Sequence, residues 1–161
     1  LIATIGNPVY DIIETRGIRT PERILSGCAT NAAITLAKLG TKALTVGNVG
    51  RDFVSHFDKM MAQNGVLTRM RECDLSAGFE VLHGEDGQRL LKAIGPAEPL
   101  TRLPEDLFGA EVVIFGPILG EIPLEMIDTV KERCPAQLIL DPQGFVRRPF
   151  ENNIVKGWRH P

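Results

Sequence analysis

No field of one sign surrounds this chain. Its 161 residues hold 18 Lys and Arg against 20 Asp and Glu, a formal net charge of -2. Nothing in that balance attracts nucleic-acid phosphates nonspecifically, so neither DNA nor RNA is expected as a partner. Paired cysteines are lacking too. Cys28, Cys73 and Cys134 are three in number and far apart, with no C-x-x-C step. That excludes a disulfide framework, a zinc ribbon and a redox dithiol, and points to a reducing, cytoplasmic setting. No apolar run reaches the ~18 residues a bilayer span needs, so no membrane partner is expected. The opening residues alternate like a strand and do not form a charged segment followed by an apolar one. His56 and His83 have no companions at metal-ligand spacing, so no metal site is expected from them. Residue 1 is Leu1 and not Met, and the N-terminus is expected to have been trimmed.

What is present suits an ordinary globular chain with one substantial core: 43% of residues are hydrophobic and 24% charged. Residues 1–5 read as a buried strand, broken by Gly6-Asn7-Pro8 before a second extended run over 9–15. Strand alternation puts Val9, Asp11 and Ile13 on one face of that run and Tyr10, Ile12 and Glu14 on the other. Helical spacing predicts a helix over 30–39, with Asn31 in its first turn, leading to a buried strand over 43–46. Gly47-Asn48-Val49-Gly50 then reads as a turn before an amphipathic helix over 52–63. Phe53, Phe57, Met60 and Met61 share one face of that helix, and Asn64-Gly65 end it. Two strands, 78–83 and 88–93, flank Gly84-Glu85-Asp86-Gly87, a hairpin signal. Strands over 111–115 and 137–140 enclose a helix over 124–133. No period of 20 to 50 residues repeats.

This alternation predicts an α/β fold, a mostly parallel sheet with helices on its faces. The segments near 9–16 and 78–93 break the rhythm. They are expected to form a small antiparallel lid over the carboxyl edge of the sheet, where open α/β sheets bind ligands. Four polar clusters converge there: Asp11; Gly27 to Asn31; Asn48 with Asp52; and Asp141 with Arg147. Each also has a plain structural reading. Asn31 serves equally as a first-turn helix residue, Asp52 as a helix cap, and Asp141-Pro142 as a turn opener. Taken together, an aspartate, a glycine-led helix start and an amide suit vicinal hydroxyls. The carboxylate accepts two hydrogen bonds, while the amide both donates and accepts. Cys28, close to the same helix start, is either a thiol with lowered pKa or a small packing residue. Arg147 binds a phosphate or pairs with a carboxylate; the sequence leaves both open.

The run Ser26-Gly27-Cys28-Ala29-Thr30-Asn31-Ala32-Ala33, with Gly40 and Gly50 beyond it, resembles the first signature of the PfkB (ribokinase-like) carbohydrate kinases. Gly27, Ala29, Asn31, Ala33, Gly40 and Gly50 fall in register. Ser26 departs, standing where Ala or Gly is usual; its hydroxyl would narrow the pocket. The segment from Gly6 to Asp11 looks like the family's opening strand with its substrate-binding aspartate. Gly47-Asn48-Val49-Gly50-Arg51-Asp52 resembles its second conserved turn. Asp141-Pro142-Gln143-Gly144-Phe145-Val146-Arg147 is similar to the branch that includes inositol kinases and some archaeal sugar kinases.

That resemblance implies a ribokinase-like fold and ATP-dependent phosphorylation of a hydroxyl on a sugar or polyol, with Mg2+. It implies acceptor contacts from Asp11, Gly27, Cys28, Asn31 and Asp141, with Glu80, His83 and Arg89 on a lid that closes to exclude water and through which two copies can pair as a homodimer. Ribose, fructose, a nucleoside and myo-inositol offer similar hydroxyl patterns. The family's later motifs, Asn-x-x-Glu and the glycine-rich Asp-Thr-x-Gly-Ala-Gly-Asp with its proton-accepting aspartate, do not occur in this sequence. Phosphoryl transfer depends on positioning and charge stabilisation, so the chain is expected to be an acceptor-binding half that does not turn over alone. The catalytic aspartate is expected beyond Pro161, since Trp158-Arg159-His160-Pro161 carries no capping or tail composition. A dinucleotide-binding oxidoreductase needs G-x-G-x-x-G after the first strand, and Gly6-Asn7-Pro8 does not supply it. A non-catalytic polyol-binding or subunit-interaction module with the same fold is the alternative.

Overall fold

The computed structural model describes residues 1–149 and 151–157; Trp158 to Pro161 lie outside the described residues. The chain opens with strands β1 (Ile2–Ile5), β2 (Val9–Thr15), β3 (Ile18–Arg19) and β4 (Ile24–Ser26), then helix α1 (Cys28–Lys38). Next come β5 (Ala43–Gly50), α2 (Val54–Gln63), β6 (Leu67–Cys73), β7 (Ala77–His83) and β8 (Arg89–Gly95). The remainder comprises β9 (Val112–Phe115), α3 (Leu124–Arg133), β10 (Gln137–Leu140), the single turn α4 (Gln143–Val146), β11 (Arg147–Pro149) and β12 (Val155–Gly157).

Five strands form the main sheet in the order β10-β9-β1-β5-β6, and every pairing in it is parallel. Such a sheet must be covered on both faces. Leu44 and Val46 of β5 join Ala3 and Ile5 of β1, Val113 and Phe115 of β9, and Met126 and Val130 of α3 in one core. Ala43 and Val49 of β5 turn the other way, toward Ala33 of α1 and Phe57 and Met61 of α2. The two cores follow from the period of two along β5. They account for the apolar face expected on α2, where Phe53 and Met60 pack beside Phe57 and Met61.

The α/β class is as expected, and three local assignments change. Gly47-Asn48-Val49-Gly50 is not a turn; it completes β5, and all eight residues of that strand are buried. Small residues there let neighbouring backbone pack close, since a Cβ at Gly47 would sit 2.5 Å from the Gly6 carbonyl oxygen. Helix α1 begins at Cys28, two residues earlier than the spacing suggested, because Gly27 serves as its N-cap. Strand β6 went unread: it is a sheet edge whose Arg69 and Arg71 lie exposed, so its apolar alternation is faint.

The second sheet, β3-β2-β7-β8 with β4 on β2, is the lid. Three of its pairings are antiparallel. The central pair, β2 with β7, is parallel, in register from Val9↔Ala77 to Thr15↔His83. The small antiparallel lid is as expected, and the one parallel pair at its centre has a topological cause. β2 continues from β1 and β7 from β6, and those parent strands are parallel members of the main sheet. Both therefore leave at its carboxyl edge travelling the same way.

Two polar devices fix that edge. Tyr10, fully buried at the root of β2, stacks on Phe53 with ring centroids 3.8 Å apart. The Glu121 carboxylate, also fully buried, accepts backbone N–H bonds from Ile118 at 2.9 Å, Leu119 at 2.9 Å and Asn7 at 3.3 Å. It thereby ties the loop after β9 to the loop after β1. Burial outweighs these donors and holds the Glu121 carboxyl above the usual glutamate range. The folded state then binds that proton more tightly than the unfolded chain. This group's contribution to stability is full below the ordinary glutamate pKa and is lost as pH rises through its own. Replacing Glu121 by Gln places an NH2 against N–H donors. Denaturant titration of Glu121→Gln should show a loss of about 1–3 kcal/mol, and unchanged stability would mean the loops are held by something else.

Candidate functional site

Where the lid meets the main sheet lies a cavity of about 410 Å³. The lid contributes Val9 and Asp11 of β2, Phe79 and Val81 of β7, and Arg89 and Leu91 of β8. β4 adds Ser26, the start of α1 adds Gly27, Cys28 and Asn31, the loop after β9 adds Ile118, the segment after β10 adds Asp141 and Gln143, and β11 adds Arg147. Strand parity explains the lid set, because odd-numbered residues of β2, β7 and β8 face inward.

Gly27 has φ of 112° and ψ of 139°, backbone geometry that L side chains rarely adopt. A Cβ there would come within 3.0 Å of the Asn7 carbonyl oxygen and 3.2 Å of the Val9 nitrogen. No side chain caps α1, so the first N–H groups of an 11-residue helix stand at the cavity wall. Asn31, in the first turn, is exposed, and its own N–H bonds back to the Gly27 carbonyl at 2.8 Å.

Asp11 sits on the opposite wall. Its Oδ1 is buried and has no hydrogen-bond partner among the described residues. Burial raises its pKa above the ordinary aspartate value; the Ser26 hydroxyl, the Arg89 charge, the Phe79 N–H and the Arg147 charge pull it partly back. Ser26, the departure from the family pattern, thus stands beside the carboxylate and lines the cavity.

Asp141 follows β10 and closes an Asx turn, its Oδ1 accepting the Gln143 N–H at 2.9 Å. Its Oδ2 accepts the Cys28 thiol proton at 2.9 Å. The turn-opener reading of Asp141 therefore holds together with a position on the cavity wall. Cys28 is corrected in the other direction. Burial first, then the hydrogen bond to Asp141 and its charge, push the thiol up to about 12. It remains a protonated thiol at neutral pH, although it begins a helix.

Asn48 and Asp52 do not reach this cavity. The Asn48 amide donates to the Glu98 and Pro99 carbonyls at 2.9 and 3.1 Å, and its backbone N–H donates to Asn7 Oδ1 at 2.8 Å. Asp52 accepts the Ser76 N–H at 2.9 Å and lies 3.6 Å from Arg23. Both are structural ties, which position in the sequence alone does not reveal. On the lid, Glu80 faces away from the cavity and pairs with Arg19 at 2.8 Å. His83 stands at the hairpin end of β7, outside the lining, and Arg89 is in it. Phe79, Val81, Leu91, Ile118 and Gln143 were not singled out beforehand; parity along β7 and β8 was the available signal for the first three.

No family model and no curated protein sequence matches the chain. Solved structures do. A sulfate complex of a pyrophosphate-dependent kinase in the ribokinase family superposes with a TM-score of 0.82 at 28% identity, over 98% of this chain and 55% of that one. The chain has the ribokinase-like fold. A pyrophosphate-dependent kinase in the ribokinase family complexed with a pyrophosphate analog and myo-inositol matches this ribokinase-like chain at TM-score 0.81 and 27% identity, over 98% of it and 54% of that chain. The fructokinase of Halothermothrix orenii shares the fold at TM-score 0.75 and 15% identity, over 88% and 56%. The ribokinase-like chain described here spans about half the length of the kinases it matches. Those structural neighbours are sugar and inositol kinases of the ribokinase family. Among the described residues no helix is long and apolar enough to cross a membrane.

The Cys28–Asp141 bond is open to direct measurement. Peptide-resolved alkylation at pH 8 should label Cys28 far more slowly than a free cysteine, and Asp141→Asn should speed it by removing the adjacent charge. Rapid labelling of the unmodified chain would show that the thiol is not held protonated.

Proposed function

We propose that this chain forms the acceptor-binding half of a kinase that transfers a phosphoryl group to a hydroxyl of a sugar or related polyol. The observation that carries the reading is the unpartnered, buried Oδ1 of Asp11, facing the uncapped, glycine-led start of α1 across one cavity. A buried carboxylate oxygen left without a donor is costly, and a ligand hydroxyl supplies one. Asn31 and the first N–H groups of α1 offer donors and an acceptor for neighbouring hydroxyls. The similarity to kinases of sugars and of myo-inositol supports the same class of acceptor.

In such a transfer the acceptor oxygen forms a bond to the terminal phosphorus, the bond from that phosphorus to the donor breaks, and the hydroxyl proton must be taken up. Asp11, Gly27 and Asn31 hold and orient the acceptor. The lid, rooted by Tyr10 against Phe53, covers it so that water does not compete as acceptor. Proton uptake and donor stabilisation belong to motifs this sequence does not contain. The resemblance names ATP with Mg2+ as donor and cofactor; the pyrophosphate-dependent neighbours favour pyrophosphate as a second donor to assay. Among the described residues no group of three or more His, Cys, Asp or Glu could hold a metal ion, so these residues do not by themselves make a magnesium site. A homodimer would form through the lid, where Ile18 and Leu90 are exposed.

Calorimetric titration of the chain with myo-inositol, fructose, ribose and a nucleoside should give saturable binding for at least one. Asp11→Asn should weaken that binding by about tenfold or more, the scale of one charge-assisted hydrogen bond. Burial raises the Asp11 pKa, so affinity should fall with decreasing pH at a higher pH than for an exposed aspartate. Failure of all four to bind, or equal binding by the Asn variant, would remove the reading.

A further inference from the structure

Two arginines enter the cavity from segments remote in sequence. Arg89 opens β8 on the lid hairpin, and Arg147 opens β11, whose partner strand β12 packs against β8. Among the described residues neither guanidinium makes an ion pair, although Arg19, Arg23, Arg69, Arg71 and Arg133 all lie within 4.0 Å of a carboxylate. The two charges oppose each other. After burial, Arg89 is the largest influence pushing the Arg147 pKa down, with Asp141 and Asp11 acting against it.

The carboxylates nearby are poorly placed to relieve this. Asp141 has both oxygens engaged, by the Cys28 thiol and the Gln143 N–H. The Oδ1 of Asp11 is buried and has no hydrogen-bond partner among the described residues. A cavity wall that holds two like charges unpaired, at least one of them partly desolvated, is costly when empty. It becomes favourable once an anion bridges the two planar forks, the geometry in which guanidinium recognises phosphate and carboxylate.

Resting on the acceptor-binding reading above, we propose that Arg89 and Arg147 form a two-guanidinium site for a phosphate or carboxylate group on the small molecule that fills this cavity. The ligand is then anionic, with its hydroxyls toward Asp11 and Asn31 and its anion toward the arginines. Arg89 and Arg147 lie on separate strands, β8 and β11, so the anion ties the β11-β12 hairpin to the lid.

The test is competitive titration of the chain with fructose, fructose 6-phosphate, gluconate, inorganic phosphate and pyrophosphate. The expected result is that fructose 6-phosphate or gluconate binds at least about tenfold more tightly than fructose. Arg89→Met and Arg147→Met should each abolish that gain, so that the anion binds each variant no more tightly than fructose binds the same variant. Arg69→Met, off the cavity, should leave the gain in place. Sensitivity of the anion's binding to Asp11→Asn assigns the group to the acceptor. Binding of pyrophosphate or inorganic phosphate that needs both arginines and ignores Asp11→Asn assigns it to the phosphate donor at the same site. The proposal is overturned if no anion outbinds fructose, or if the gain survives either arginine substitution. Fructose binding that depends on Asp11 with no gain from an anion would leave the acceptor reading standing and remove this one. Absence of all binding would remove both.

Discussion

The parallel pairing of β2 with β7 is the constraint on which the rest of this molecule depends. Both strands are continuations of main-sheet strands past the same edge, so the lid is not a separate module but the sheet itself prolonged and turned aside. A prolonged strand cannot choose its direction. β2 and β7 run side by side, their odd residues share a face, and that face closes over the start of α1 and the turn after β10. The cavity is the space left between strands that stop at the edge and strands that continue beyond it.

That arrangement must be held against the conformational entropy of a small sheet standing off the main core. The clamps are few and buried. Tyr10 stacks on Phe53, with its hydroxyl 3.4 Å from the Phe53 carbonyl oxygen. Glu121 gathers three backbone donors, and Asn7 joins it to Asn48. Val9, Ala77, Phe79 and Val81 pack with Ile118 beneath the lid. The lid root is thus buried, while its outer pairs, such as Arg19 with Glu80, are partly exposed and contribute little.

The chemistry of the cavity is divided in the same way. The helix-start wall offers N–H groups and an amide, and the Asp11 wall offers a buried carboxylate oxygen. Arginines stand on β8 and β11, and Asp141 is occupied in holding Cys28 and its own turn. The recognition proposed above combines hydrogen bonding to hydroxyls with guanidinium contacts from those two strands. The chain spans about half the length of the kinases it resembles.

Local sequence determined a good deal. Periodicity located α2, α3 and most strands, because apolar spacing of two or near four is imposed by the backbone whatever the surroundings. The glycine at position 27 announced a backbone turn that other residues rarely make, and the register from Gly27 to Gly50 identified the fold. Tertiary structure alone decided which polar residues share a cavity. Asn48 and Asp52 carry the same chemistry as Asn31 and Asp11, yet their partners, Glu98, Pro99 and Ser76, lie tens of residues away and tie them into the frame. It also decided the protonation of Cys28. The helix start beneath it would lower the thiol pKa, but burial first, and then Asp141, brought in by a strand more than a hundred residues later, raise it. Spacing along a chain fixes which side of a strand a residue faces; the field it experiences is set by groups that only folding brings near.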